Sequence, residues 1–93
     1  MSDGLQTDEY RISISREITV CRNMIDRQKK HQARFEKQYG ISTEEMIKKV
    51  KKEELNIEIK VRDMDEWRNE YEGLLAWQQR LREYEEAYEA LKR

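Results

Sequence analysis

The residues best suited to catalysis or metal binding are few in this chain. His31 is the only histidine and Cys21 the only cysteine, and neither has a second His or Cys nearby at the spacing of a metal site. The run EYEEAYE, residues 83–89, is rich in carboxylates but lacks the Glu-x-x-His pattern of metal sites in helical bundles. No phosphate-binding loop, nucleophile triad or cofactor motif occurs. The sequence therefore predicts a protein that is not an enzyme and uses no metal or cofactor.

These residues also have simpler structural interpretations. We expect His31 to be a solvated helix residue and the glutamates of 83–89 to be surface charge. Cys21 falls on an apolar stripe, where a cysteine usually acts as a small buried apolar residue, whereas a reactive thiol needs an accessible, electropositive setting.

Two basic stretches could follow a phosphate backbone: RQKKHQAR, residues 27–34, and KKVKK, residues 48–52. No helix-turn-helix or other nucleic-acid signature accompanies them, and a pI of about 5.9 argues against a dedicated nucleic-acid binder. Nucleic-acid contact is therefore the less favoured hypothesis. Its candidate residues are Arg27, Lys29, Lys30 and Arg34.

Aromatic side chains are the candidates for contact with a partner protein, because aromatic anchors ringed by polar residues dominate many interfaces. The candidates are Tyr39, Trp67, Tyr71 and Trp77. The helical spacing of the first three favours positions in the core. Trp77 lies outside the main apolar stripe, so it is the preferred contact residue.

The composition determines what kind of structure can hold these side chains. The chain has 93 residues, of which 42% are charged and 37% hydrophobic, so we expect one domain, residues 1–93, with a small core. Proline is absent and only three glycines occur, which favours long helices. Neither a signal peptide nor an apolar stretch of membrane-spanning length is present, and the single cysteine allows no intramolecular disulfide. A cytoplasmic protein without membrane contact is the expectation.

Three helices and a connector are predicted along the chain. Residues 1–10 form a loose arm, 14–39 the first helix, 43–54 the second, 55–62 the connector and 64–92 the third. Gly40 ends the first helix, and Ser42 with Glu45 forms a capping box for the second. Asp63 or Asp65 is the expected cap of the third helix.

Two short segments alternate apolar and polar residues in the manner of strands: residues 11–15, RISIS, and 55–61, LNIEIKV. If they pair, the fold is a small α+β domain with a two-stranded ribbon. We favour a connector whose apolar side chains pack on the helices or on a second protomer, because a lone ribbon is marginally stable. The residues concerned are Leu55, Ile57, Ile59 and Val61.

The favoured fold class is all-α: a long, coiled-coil-like antiparallel hairpin of the first and third helices, with a short helix between them. Matching the two apolar stripes predicts Phe35 opposite Tyr71 and Gln28 opposite Gln78. A two-helix hairpin leaves Leu75 and Trp77 on exposed flanks, so we expect oligomerisation, as a dimer, or a partner protein that completes a helical bundle.

The runs FEKQYGISTEEM and MDEWRNEYEGLL resemble a group of small bacterial and archaeal helical proteins. In that group a helix ends in Tyr-Gly-Met-Ser, a Ser-x-Glu-Glu helix follows, and a segment containing Glu-Trp opens the last helix. The group's members are regarded as candidate antitoxins or as uncharacterised proteins encoded beside a candidate toxin. This chain differs in having Ile41 for Met, and LNIEIKV for an acidic, glycine-containing loop. The matching positions are Phe35, Tyr39, Gly40, Ser42, Glu44, Glu45, Met46, Glu66, Trp67 and Tyr71.

The resemblance implies a non-enzymatic, antitoxin-like protein that neutralises a partner toxin by direct contact. The alternatives are a structural coiled-coil protein that only self-associates and a nucleic-acid-binding accessory protein.

Overall fold

The protein is an all-α antiparallel hairpin with a short helix packed at one end. The computed structural model describes residues 2–92, with side chains from residue 8 onwards. Helix α1 is Ser2–Tyr39, α2 is Thr43–Lys51 and α3 is Val61–Leu91. Helices α1 and α3 pack against each other along a molecule measuring 64 × 21 × 17 Å. Over residues 2–92 there is no strand, so the predicted hairpin is confirmed and the alternative α+β fold is wrong.

Helix α1 begins earlier than the sequence predicts. It starts at Ser2, so the predicted loose arm is helical throughout its described part, and Met1 lies outside the described residues. Once a helix exists, each added residue gains a hydrogen bond at little cost, and the single Gly4 opposes this by only about 1 kcal/mol. The strand-like segment 11–15 is helical for the same reason, and its Ile14 is buried in the seam with α3.

The break between α1 and α2 lies where Gly40 and Ser42 predict it. Gly40 has φ +68°, the left-handed conformation that ends helices, and its N–H bonds to the Glu36 carbonyl at 2.8 Å. Ser42 is the N-cap of α2, with its hydroxyl accepting the Glu45 N–H at 3.2 Å. The Glu36 carboxylate accepts a second free N–H, that of Thr43, at 2.6 Å. A side chain from the preceding helix thus caps α2 together with Ser42.

Helix α2 ends at Lys51, before the predicted residue 54, in a Schellman motif without glycine. Glu53 takes the left-handed conformation with φ 57° and donates its N–H to the Val50 carbonyl at 3.2 Å. The Glu54 N–H bonds to the Lys49 carbonyl at 2.8 Å, which completes the motif. Because glutamate rarely adopts this conformation, the helix end could not be predicted from its residue type.

Helix α3 begins at Val61, and its N-cap is Lys60, which makes no side-chain capping bond. The predicted caps, Asp63 and Asp65, are therefore wrong. Asp63 lies in the first turn, where its charge suits the helix dipole, and its carboxylate accepts the hydroxyl of Tyr39. Asp63 therefore bonds to the end of α1 and does not cap α3.

The register between the long helices differs from the predicted one by about one turn. Phe35 stacks on Trp67, with ring centroids 5.5 Å apart, and does not face Tyr71. Gln28 packs on Gly73, where an added Cβ would lie 3.2 Å from the Gln28 Nε2 atom, and does not face Gln78. Matching apolar stripes could not detect this register, because one of its contacts uses Gly73, which has no side chain to match.

Candidate protein-binding surface

Trp67 is the centre of a compact cluster at the connected end of the hairpin. Its ring stacks with the rings of Phe35 and Tyr39, and it has no exposed surface. Its indole N–H donates a hydrogen bond to the buried Thr43 hydroxyl at 2.9 Å. Met46 of α2 completes the cluster. Trp67, one of the predicted contact residues, therefore offers no surface to a partner in this structure.

Tyr39 joins the end of α1 to the start of α3. Its hydroxyl donates to the Asp63 carboxylate, and its ring is half-buried against the cluster. The hydrogen bond to Asp63, followed by burial, raises the pKa of Tyr39 above its usual 10.0, while the Lys60 amide acts in the opposite direction. This predicted contact residue thus has a structural role.

The cluster divides the molecule into two parts with different packing. We call the closed end the part where α2 and the connector, residues 52–60, cover α1 and α3; its packed residues include Ile41, Ile47, Val50 and Ile59. We call the open half residues 8–31 of α1 with 71–91 of α3, where these two helices alone form the hairpin. A two-helix seam can bury only one stripe of each helix.

Large apolar side chains are exposed in the open half. Ile12 keeps 54% of its surface exposed and Leu75 keeps 46%, and Tyr10 and Val20 are also exposed. Fully burying a side chain of this size is worth about 1.5 to 3 kcal/mol, so these positions favour contact with another surface. The open half is therefore the candidate protein-binding surface.

Trp77 and Tyr71 also belong to the open half. Both are half-buried. The Arg80 guanidinium carbon lies 5.0 Å from the centroid of the Trp77 ring, within the range of a cation–π interaction. Trp and Arg are the residue types most enriched at energetically dominant interface positions. Of the four predicted contact residues, Trp77 is the one whose surroundings best suit that role.

Cys21 lies in the seam of the open half and is fully buried, as the sequence predicts. Burial raises its pKa, with nearby Glu17 adding to the rise and Arg80 opposing it. A protonated and inaccessible thiol is a poor nucleophile and a poor metal ligand.

His31 is only partly the solvated residue that the sequence predicts, because 43% of its side chain is exposed and the rest lies against α3. Its Nδ1 atom lies 3.0 Å from the Glu70 Oε1 atom, in a partly buried pair across the two long helices. Gln32 reinforces the same contact, because its Nε2 donates to the Glu70 carbonyl at 3.2 Å. The pair could have been predicted only with the correct register, which places Glu70 beside His31 and Gln32.

The predicted nucleic-acid residues are exposed on α1 but do not form one surface. Helical spacing places Arg27, Lys30 and Arg34 on one side and Lys29 on another. Lys30 also pairs with Asp26 at 3.3 Å, so the basic character of that side is reduced.

Residues 2–92 hold neither a cluster of metal ligands nor a helix that could span a membrane. No three His, Cys, Asp or Glu side chains there converge as metal ligands. None of the helices in this range combines the length and apolar character needed to cross a membrane.

The fold and the surface together define a class, that of small all-α helical hairpins with an uncovered two-helix segment. Neither a family model nor a curated protein nor a solved structure matches the chain.

Proposed function

We propose that this protein is a non-enzymatic, antitoxin-like binding module that neutralises a partner toxin by direct contact through the open half. The observation that supports this proposal is the exposure of Tyr10, Ile12, Val20 and Leu75 on a segment where α1 and α3 have no third helix to cover them. A helix or sheet of a partner laid along this segment would complete a bundle. The resemblance of residues 35–46 and 64–75 to candidate antitoxins supplies the kind of partner.

The closed end supports the proposal by keeping the open half in place. The packed cluster around Trp67 and the Tyr39–Asp63 bond fix α1 relative to α3 at one end. A surface that is already ordered loses less conformational entropy when a partner binds. The hairpin can therefore bind without first folding.

The test is co-expression with the product of the neighbouring gene. We expect the two proteins to purify together and the growth defect caused by the neighbouring product to be relieved. Trp77→Ala should weaken the complex by about 2 kcal/mol or more, as truncation of an aromatic anchor does. Lys48→Ala, an exposed change on α2 at the closed end, is the matched control and should leave the complex intact.

Two results would contradict the proposal. One is the absence of both co-purification and growth rescue with a folded protein. The other is a tight homodimer in which Trp77 and Leu75 are covered by a second copy, because this would leave no open half for a toxin. Light scattering, together with Trp77 fluorescence in a Trp67→Phe background, distinguishes these results.

A further inference from the structure

The last part of the connector and the first residue of α3 carry exposed apolar and charged side chains in alternation. Ile57 and Val61 keep 38% and 77% of their surface exposed, although Ile59 between them is half-buried against the closed end. Glu58 and Lys60 are exposed. Val61 is the most exposed of the large apolar residues described, and nothing in the helical hairpin requires one at that position.

The backbone of residues 55–59 is available for pairing. Within residues 2–92, the backbone hydrogen bonds found outside the helices use no group of residues 55–59, whereas the Lys60 carbonyl accepts the Met64 N–H at 2.9 Å. The chain bends at Ile57, and Lys60 has extended angles of φ −59° and ψ 136°. Val61 is the first residue of α3, so its N–H has no partner within the helix.

We propose that residues 57–61 are a self-complementary interface that pairs antiparallel with the same residues of a second copy, around a two-fold axis at Ile59. In this arrangement each Glu58 lies opposite Lys60 of the other copy, and each Ile57 lies opposite Val61. The two Ile59 residues exchange backbone hydrogen bonds, and the free Val61 N–H donates to the Ile57 carbonyl of the other copy.

Charge selects this register over its neighbours. If the axis passed through Glu58, the two glutamates would face each other, and if it passed through Lys60, the two lysines would do so. Like charges directly opposite each other across a strand pair are unfavourable, whereas opposite charges are favourable. Centring on Ile59 is therefore the register that both the charged and the apolar residues of IEIKV favour, and it has the symmetry of a dimer in which both copies use the same patch.

The surroundings leave room for a second chain and keep the segment ordered. A surface depression of about 530 Å³ lies beside it, lined by Gln38, Tyr39, Glu58, Ile59, Lys60 and Val61. Ile59 packs on the closed end, and the bond between Tyr39 and Asp63 holds the start of α3 beside α1. Little ordering would be needed on pairing, which lowers its entropic cost.

This interface lies at the closed end, so it goes beyond the proposed function and does not depend on it. It would join two hairpins and leave both open halves uncovered. Because the paired segment is short, we expect a weak dimer that forms at high protein concentration.

The test is sedimentation velocity over a range of concentrations. Glu58→Lys and Lys60→Glu each replace two favourable charge pairs by two unfavourable ones, so each should weaken the dimer about tenfold or more. An equimolar mixture of the two variants restores unlike charges at both pairs and should form a heterodimer at least as tight as the wild-type dimer. Lys29→Glu, an exposed charge reversal on α1, is the control and should dissociate like the wild type.

Three outcomes would overturn the proposal. The first is a wild-type protein that stays monomeric up to about 1 mM, where even very weak pairing is detected. The second is a dimer whose affinity the single reversals leave unchanged, because another surface then holds it. The third is a mixture of the two variants that associates no better than either variant alone. All the altered side chains are exposed, so we expect each variant to fold, and circular dichroism checks this.

Discussion

The indole N–H of Trp67 donates a hydrogen bond to the Thr43 hydroxyl, 2.9 Å away, in a site where both residues are buried. Thr43 is the first residue of α2, so this bond attaches the short helix to the core at the closed end of the hairpin. Trp67 contacts α1 through its ring faces and α2 through its nitrogen. One side chain thereby joins all three helices.

Thr43→Val should destabilise the protein by about 1 to 3 kcal/mol, because it keeps the shape of the side chain but leaves the buried Trp67 N–H without an acceptor. Denaturation in urea, followed by circular dichroism, measures this loss. Thr19→Val is the matched control, since its hydroxyl is exposed and bonds only within α1, to the Ser15 carbonyl. Equal effects of the two substitutions would show that the Trp67–Thr43 bond contributes little.

Glu53→Gly should stabilise the protein by about 1 kcal/mol, because glycine adopts the left-handed conformation at φ 57° without the steric cost that a side chain incurs. The thermal midpoint and the urea midpoint should both rise. Lys48→Gly, at an exposed position in the interior of α2, should instead cost about 1 kcal/mol. A loss of stability in Glu53→Gly would mean that α2 does not end in this motif.

Gly73→Ala should reveal the close approach of Gln28 through a double-mutant cycle. Alanine favours a helix over glycine by about 1 kcal/mol, but its Cβ would lie 3.2 Å from Gln28 Nε2, which opposes the gain. In a Gln28→Ala background the close contact between the new Cβ and the Gln28 side chain is absent. We expect the substitution to be more favourable there by about 0.5 kcal/mol or more. Additive effects would contradict the register observed between α1 and α3.

Stability should fall at alkaline pH through Tyr39. Its pKa is raised in the folded protein, so the unfolded chain loses the proton first, and the stabilisation present below pH 10.0 disappears as the pH rises through the folded-state pKa. Tyr39→Phe lacks the bond to Asp63 and should be less stable at neutral pH, with a flatter decline above pH 10.0.

Urea denaturation at a series of pH values measures the decline. Cys21 also has a raised pKa and contributes to alkaline destabilisation in both proteins, so the difference between them isolates Tyr39. Parallel pH profiles would mean that the Tyr39 hydroxyl is not bonded to Asp63 in the folded state.

Local sequence patterns predicted the presence of the three helices. They did not predict the register in which α1 and α3 pack. Gly40 lacks a Cβ and so adopts the left-handed conformation at little cost, and the Ser42 hydroxyl is a strong N-cap, so the break between α1 and α2 could be placed to the residue. The end of α2 could not, because Glu53 adopts a conformation that its residue type disfavours. The start of α3 was also misplaced, since Asp63 bonds to Tyr39 and does not cap the helix.

The candidate surface shows the same division. Helical spacing identified Tyr39 and Trp67 as positions that favour the core, and the structure buries Trp67 completely and Tyr39 partly. It did not identify Ile12, which lies on the outward side of a helix that was predicted to start after it. Burial depends on which part of the hairpin α2 covers, and that is a property of the tertiary structure alone.

The position of the Trp67 cluster at one end of the molecule also determines where local unfolding should occur most readily. Because the cluster packs α2 against the neighbouring turns of α1 and α3, we expect their amide hydrogens to exchange only when the cluster opens, and those of the distant turns to exchange more readily. Hydrogen exchange should therefore quicken steadily with distance from the cluster. A molecule bound along the two-helix segment would suppress that gradient, which makes exchange rates a direct map of where it sits.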